Sequence, residues 1–117
     1  NYGIVHALDG YDEISLTSGF KLFTKNGEQL INPEDVGQKR IEQSAIFGGK
    51  SVADAAKIFK NIIEGNGTEA QNSVVLTNAA FALTIVDDKK SFQEAYEEAK
   101  DSLLGLKAKD CLNKLVK

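Results

Sequence analysis

The sequence predicts a mixed α/β fold in which short strands come first and helices follow. Three observations carry this reading. Alternating apolar stretches are confined to residues 1–32, an Asn-Gly pair separates two of them, and helix-capping motifs recur through residues 33–117. By local count this is α+β; it equally describes the tail of a larger α/β domain.

The first strand is Tyr2-Gly-Ile-Val-His-Ala-Leu8, apolar with β-branched residues, and Asp9-Gly10 ends it with turn chemistry. Ile14-Ser-Leu-Thr17 alternates and reads as a further short strand. Phe20–Thr24 and Glu28–Ile31 flank Lys25-Asn26-Gly27. Asn-Gly between alternating runs signals a hairpin, and a type I′ turn is expected, with positive φ at both central residues. Asn32-Pro33 breaks the strand because proline lacks a ladder donor, and Pro33-Glu-Asp-Val36 begins a short helix or turn.

The remainder reads as helices. Ser51-Val-Ala-Asp54 has the form of an N-terminal cap. Val52, Ala55, Ala56, Phe59, Ile62 and Ile63 follow at helical spacing, and Gly65 sits where a terminating glycine belongs. Thr68-Glu-Ala-Gln71 is a capping box. It opens a helix whose segment Val74 to Val86 is apolar nearly all round, so burial on several sides is expected. Ser91-Phe-Gln-Glu94 opens a third helix with Phe92, Ala95, Tyr96, Ala99 and Leu103 on one face. Gly105 breaks it before a last short helix carrying Leu112 and Leu115.

Composition excludes several function classes. Apolar residues make 42% and charged residues 26% of the chain, as in ordinary globular proteins, and the net charge is -3. Arg40 is the only arginine, and no basic stripe marks a nucleic-acid or membrane-surface partner. The longest apolar run falls short of the ~20 residues that a bilayer span needs. Cys111 is the only cysteine, so no internal disulfide forms, which suits a reducing cytosol; a structural role is expected for it. The chain opens in a strand without a preceding Met, so something is expected to precede it. A few short strands alone leave unpaired edges and an uncovered apolar face.

The chemistry-bearing stretch is Asp9-Gly-Tyr-Asp-Glu-Ile-Ser-Leu-Thr17. Asp12 and Glu13 are adjacent carboxylates on a loop leaving a strand. Such a pair can converge on a hard cation, and Mg²⁺ prefers few carboxylates, several waters and substrate phosphates. As a dipeptide alone, the pair reads more readily as two solvated loop acids than as a metal site. Other candidates carry plainer expectations. His6, the only histidine, is expected packed or backbone-bonded within its strand. Lys39-Arg40 is expected as a solvated surface pair. Gly48-Gly49 is expected as a turn, and Asn78 as a buried amide bonded to a loop or to the Gly48-Gly49 backbone.

Across nearly its whole length the chain resembles the anthranilate phosphoribosyltransferase family. The resemblance lies in Ile4-Val-His-Ala-Leu-Asp-Gly-Tyr-Asp-Glu-Ile-Ser-Leu-Thr17, Asn32-Pro-Glu-Asp-Val-Gly37, Gly48-Gly49, Asn72-Ser-Val-Val-Leu-Thr-Asn-Ala-Ala80 and the final helices, in family order and spacing. It implies a mixed-sheet phosphoribosyltransferase/nucleoside-phosphorylase-like domain, of which residues 1–117 would be the carboxy-terminal part. It implies magnesium-dependent transfer of a phosphoribosyl group from 5-phosphoribosyl-1-pyrophosphate (PRPP) to anthranilate, in tryptophan biosynthesis in the cytoplasm. Asp12 and Glu13 match the family's magnesium-holding pair. The family's glycine-rich PRPP loop, its anthranilate-carboxylate site and its amino-terminal dimer-forming domain match nothing here, so the chain alone is expected to be inactive. Ala7 stands where the family commonly has Gly, and Gln71-Asn72 where Arg-Asp is common. Two other readings are a nucleoside phosphorylase-related enzyme, which would not need this pair for pyrophosphate, and a non-catalytic interaction module of the same fold.

Overall fold

A computed structural model of the chain describes residues 1–116. Three strands, β1 (Gly3–Ala7), β2 (Phe20–Thr24) and β3 (Gly27–Ile31), form an antiparallel sheet in that order. Two short 3-10 segments follow, Pro33–Val36 and Gln43–Ile46, and then helices α1 (Val52–Ile63), α2 (Glu69–Val86), α3 (Phe92–Leu104) and α4 (Lys107–Leu115).

The β2–β3 hairpin forms where the sequence places it, with Thr24 paired to Gly27. Its turn differs from expectation. Lys25-Asn26 occupies the tip, and the positive φ falls on Gly27 alone, at 113°. A type I′ turn needs positive φ at both central residues; here the glycine instead absorbs the twist one position later. The second departure is Ile14–Thr17, which is no strand. Ile14 and Leu16 are buried, but so is Ser15, and Leu16 sits in the left-handed region at φ 61°. A strand requires a ladder partner. Its backbone is satisfied instead by the Asn78 side chain at Ile14, by Ser15 Oγ at the Thr17 N–H, and by the Ile41 N–H donating to the Leu16 carbonyl at 2.9 Å.

Alternation along β1 and β2 turns Val5, Ala7, Phe20 and Leu22 toward α2. They join Ile14, Leu16 and Phe81 in the first core cluster. An aromatic chain leads from it to the third helix. Phe20 meets Phe81 edge-on with ring centres 5.5 Å apart, Phe81 meets Phe92 at 5.1 Å, and Phe92 meets Tyr96 at 5.8 Å. A second cluster of Leu76, Ala99 and Leu103 joins α2 to α3. So α2 is buried on two sides, against the sheet and against α3. Its third side, with Val75 and Val86, is exposed.

Capping follows the sequence closely. Ser51 Oγ accepts the Asp54 N–H at 3.1 Å, and Thr68 and Gln71 complete a reciprocal capping box. Gln71 thus has a local capping role, while the neighbouring Asn72 Oδ1 is buried without a partner among the described residues. Gly65 follows α1 with φ 84°, as a helix-ending glycine does.

The opposite faces remain open. Ile4 and Leu30 lie on the sheet face away from α2 and are more than half exposed. His6 shares that face and is exposed, which corrects the expectation of a packed or backbone-bonded histidine. The reason is strand parity: Val5 and Ala7 face the core, so His6 must point away from it. Helix α1 contributes no fully buried residue, and Val52 and Phe59 on its apolar face are exposed.

Candidate functional site

The β1–β2 connection runs from Leu8 to Gly19 and carries the acidic stretch. Connections this long without secondary structure are uncommon unless functional. At its start Gly10 takes φ 99°, a conformation that disfavours any side chain. The Gly10 N–H donates to the Ala7 carbonyl at 3.1 Å, and the Ala7 N–H donates to the Tyr11 carbonyl at 3.2 Å. The chain therefore doubles back on the strand end, and half-buried Tyr11 packs against the first core cluster. Across the loop base, the Leu8 N–H donates to the Gly19 carbonyl at 3.0 Å.

Asp9 gathers the two arms of the loop. Its carboxylate accepts a short hydrogen bond from the Thr17 hydroxyl, one from Ser18 Oγ at 2.9 Å, and longer ones from Ser15 Oγ and Gln43 Nε2, both at 3.4 Å. The Thr17 hydroxyl first, then Ser18 and Gln43, hold the Asp9 carboxyl below its usual value, against an opposing effect of desolvation. A depressed pKa in the folded state stabilises the loop above the unfolded pKa of about 3.9, and this contribution is lost as pH falls through the folded value. Carbon-13 NMR of the Asp9 carboxyl in the folded protein is expected to give a midpoint below that of an ordinary aspartate. A midpoint at or above the ordinary value would show that the hydroxyls do not hold the anion.

Asp12 and Glu13 stand between these anchors, both exposed. Neither is engaged in a hydrogen bond or ion pair among the described residues, so both carboxylates are free to meet a ligand. Directly after them the chain is fastened to α2. Asn78 Oδ1 accepts the Ile14 N–H at 3.0 Å, and Asn78 Nδ2 donates to the Ile14 carbonyl at 2.8 Å. Of the two partners expected for Asn78, the structure thus supplies the loop. Beside the loop, Tyr11, Gln43, Ser44, Ile46, Phe47 and Gly48 line an open depression.

No group of three or more His, Cys, Asp or Glu suited to hold a metal occurs among the described residues. Two exposed carboxylates with room for water and phosphate fit Mg²⁺, which is commonly held through one or two carboxylates. They do not fit zinc, whose structural sites use four N, S or O ligands. Lys39-Arg40 is on the surface as expected, with Arg40 paired to Glu34 at 3.0 Å. Sequence reasoning missed Asp9 as the hub of the loop. The hydroxyls of Ser15, Thr17 and Ser18 were visible, but Asp12 and Glu13 lie nearer to them in sequence, and only the doubling back of the loop brings Asp9 to them.

The chain matches the model of the glycosyl transferase family, a/b domain, over residues 2–108. The chain belongs to this family. Among its relatives, the anthranilate phosphoribosyltransferase of Flavobacterium johnsoniae is 50% identical over 115 residues, 98% of this chain and 34% of the relative. That of Bacteroides fragilis is 44% identical, with 98% of this chain and 35% of the relative covered. The chain therefore spans about a third of the length of the curated relatives it matches. Among solved structures, the anthranilate phosphoribosyltransferase of Thermus thermophilus superposes with a TM-score of 0.80 at 24% identity, covering 96% of this chain and 33% of that one. The Saccharomyces cerevisiae enzyme in complex with PRPP and Mg gives 0.79 at 18% identity, covering 95% and 32%. These likenesses establish the mixed α/β family fold, with the three-stranded antiparallel sheet as one part of it. No helix of the described residues is long and apolar enough to cross a membrane.

Proposed function

We propose that this chain is the carboxy-terminal part of an anthranilate phosphoribosyltransferase, a magnesium-dependent enzyme that transfers a phosphoribosyl group from PRPP to anthranilate and releases pyrophosphate. The observation that carries the proposal is the free Asp12–Glu13 pair on an anchored loop, in a chain 50% identical over 115 residues to a relative of that name.

Asp12 and Glu13 would hold magnesium through hard carboxylate oxygens. When bound, the cation supplies positive charge against the pyrophosphate as it departs from the anomeric carbon. The chain's own contribution is preorganisation. The anchors at Ala7, Ile14, Leu16 and Gly19 fix the path of the loop before any ligand arrives, so the carboxylates need little rearrangement to act. Their value lies in the transition state, where the leaving group carries more charge than in the bound substrate.

The PRPP cradle and the anthranilate site belong to the rest of the enzyme in this reading, as does dimer formation, and the reaction takes place in the cytoplasm. The whole protein, given PRPP, anthranilate and Mg²⁺, is expected to form N-(5-phosphoribosyl)anthranilate, which fluorescence distinguishes from anthranilate. The chain alone is expected to give no turnover. Absence of product from the whole protein would sink the assignment, and robust turnover by the chain alone would sink the division of labour.

A further inference from the structure

Asn78 is a half-buried amide in a mostly apolar stretch of α2, between Thr77 and the pair Ala79-Ala80. Polar side chains in such places are held by hydrogen bonds, and the bonds of Asn78 are unusual in their target. Both backbone groups of one residue, Ile14, are taken by this one side chain, across 64 positions of sequence. A third bond, from Nδ2 to the Val74 carbonyl at 2.8 Å, ties the amide back to its own helix and fixes its orientation. The carboxamide thus acts as a one-residue strand partner, and its plane sets the plane of the Ile14 peptide groups. Ile14 immediately follows Glu13. The buried Ile14 side chain anchors the loop in depth, but a single side chain in the core leaves rotation of the backbone around it undetermined. The amide supplies that second restraint.

Only an amide suits the task at this distance. It offers an acceptor and a donor on one rigid plane. Aspartate would set an oxygen against the Ile14 carbonyl, and an apolar residue would leave both groups of a buried peptide unpaired.

We propose that Asn78 is a positioning residue for the Asp12–Glu13 pair, acting through the Ile14 peptide to set the direction from which both carboxylates address a divalent cation. This rests on the reading of the pair as a magnesium site. Residues that orient metal ligands from behind typically change metal affinity by about 10–100-fold when removed.

The test uses the whole protein with Mn²⁺ as the probe, titrated in the presence of pyrophosphate and followed by electron paramagnetic resonance, with thermal melting measured in parallel. Asn78→Ala and the milder Asn78→Ser are expected to weaken Mn²⁺ binding roughly tenfold and to raise the Mg²⁺ concentration for half-maximal rate by a similar factor, with KM for anthranilate unchanged. Thr77→Val is the control. It removes the bond from the Thr77 hydroxyl to the Ser73 carbonyl on the same helix, 2.6 Å long, without touching the loop. It is expected to lower the melting temperature while leaving Mn²⁺ affinity as it was. If folded Asn78→Ser binds Mn²⁺ like the native protein, or Thr77→Val weakens binding equally, Asn78 serves stability alone and the inference is overturned. Asp12→Asn separates the two levels. If it weakens Mn²⁺ binding and Asn78→Ser does not, the inference alone fails; if Asp12→Asn also has no effect, the metal reading fails and takes the inference with it.

Discussion

Replacing Asp12 by Asn and Glu13 by Gln in the whole protein is expected to slow phosphoribosyl transfer about a hundredfold, a rise of ~3 kcal/mol in the barrier. The substitutions keep the side-chain shape and remove the charge. Both carboxylates are exposed and bond to nothing else among the described residues, so folding should change by at most ~0.5 kcal/mol. A large kinetic effect with a small stability effect is the signature of a ligand-holding pair. The loss is expected to fall on the Mg²⁺ requirement, with partial rescue at high Mg²⁺, and to leave anthranilate binding nearly unchanged. The two substitutions together should cost less than the sum of each alone, because both act on one site. Rates measured against Mg²⁺ for both single variants and the double decide the matter. Near-native rates in all three at limiting Mg²⁺ would return the pair to the status of solvated loop acids.

The largest effect on stability is expected from Phe20→Ala, about 3–5 kcal/mol. Phe20 is fully buried, and it is both the first residue of β2 and the floor beneath the acidic loop. Its ring meets Phe81 edge-on, a contact that adds about 0.5–1.5 kcal/mol beyond the buried area. Removing it opens a cavity between sheet and α2, bordered by Ile14 and Leu16, so the loop should loosen along with the core. A domain of ordinary stability has about 5–15 kcal/mol in total, so the variant loses a large share. Urea unfolding gives the difference. A change under ~1 kcal/mol would mean that the sheet and α2 pack independently of this ring, contrary to the aromatic chain that joins them.

Phe81→Ala and Phe20→Ala are not expected to add. Each removes half of one ring pair, so the second substitution acts on a contact already lost.

Much of the molecule was legible in the sequence, because local chemistry decides it. Ser51, Thr68 and Ser91 each satisfy a free helix N–H three residues on, and Gly65 and Gly105 end their helices. Such signals act within one turn and need no tertiary partner. The hairpin was legible for the same reason, as was the adjacency of Asp12 and Glu13, which is fixed by the covalent chain. The details that failed depended on partners distant in sequence. Ile14–Thr17 alternates like a strand, yet no strand lies beside it, and Asn78 and Ile41 satisfy its backbone instead. The turn type followed the register that β2 and β3 adopt, which puts Lys25-Asn26 at the tip and leaves the positive φ to Gly27 alone.

Local chemistry alone thus determined where helices begin and end, that a hairpin forms near Asn26-Gly27, and that two carboxylates stand side by side. Only the tertiary structure decided that His6 faces outward, that Asp9 draws Thr17, Ser18 and Gln43 together, and that Asn78 grips Ile14 across 64 positions. The physical reason is range. Capping and turn chemistry act over three or four residues of chain, whereas the position of a loop side chain is set by whichever buried groups meet it once sheet and helices have packed.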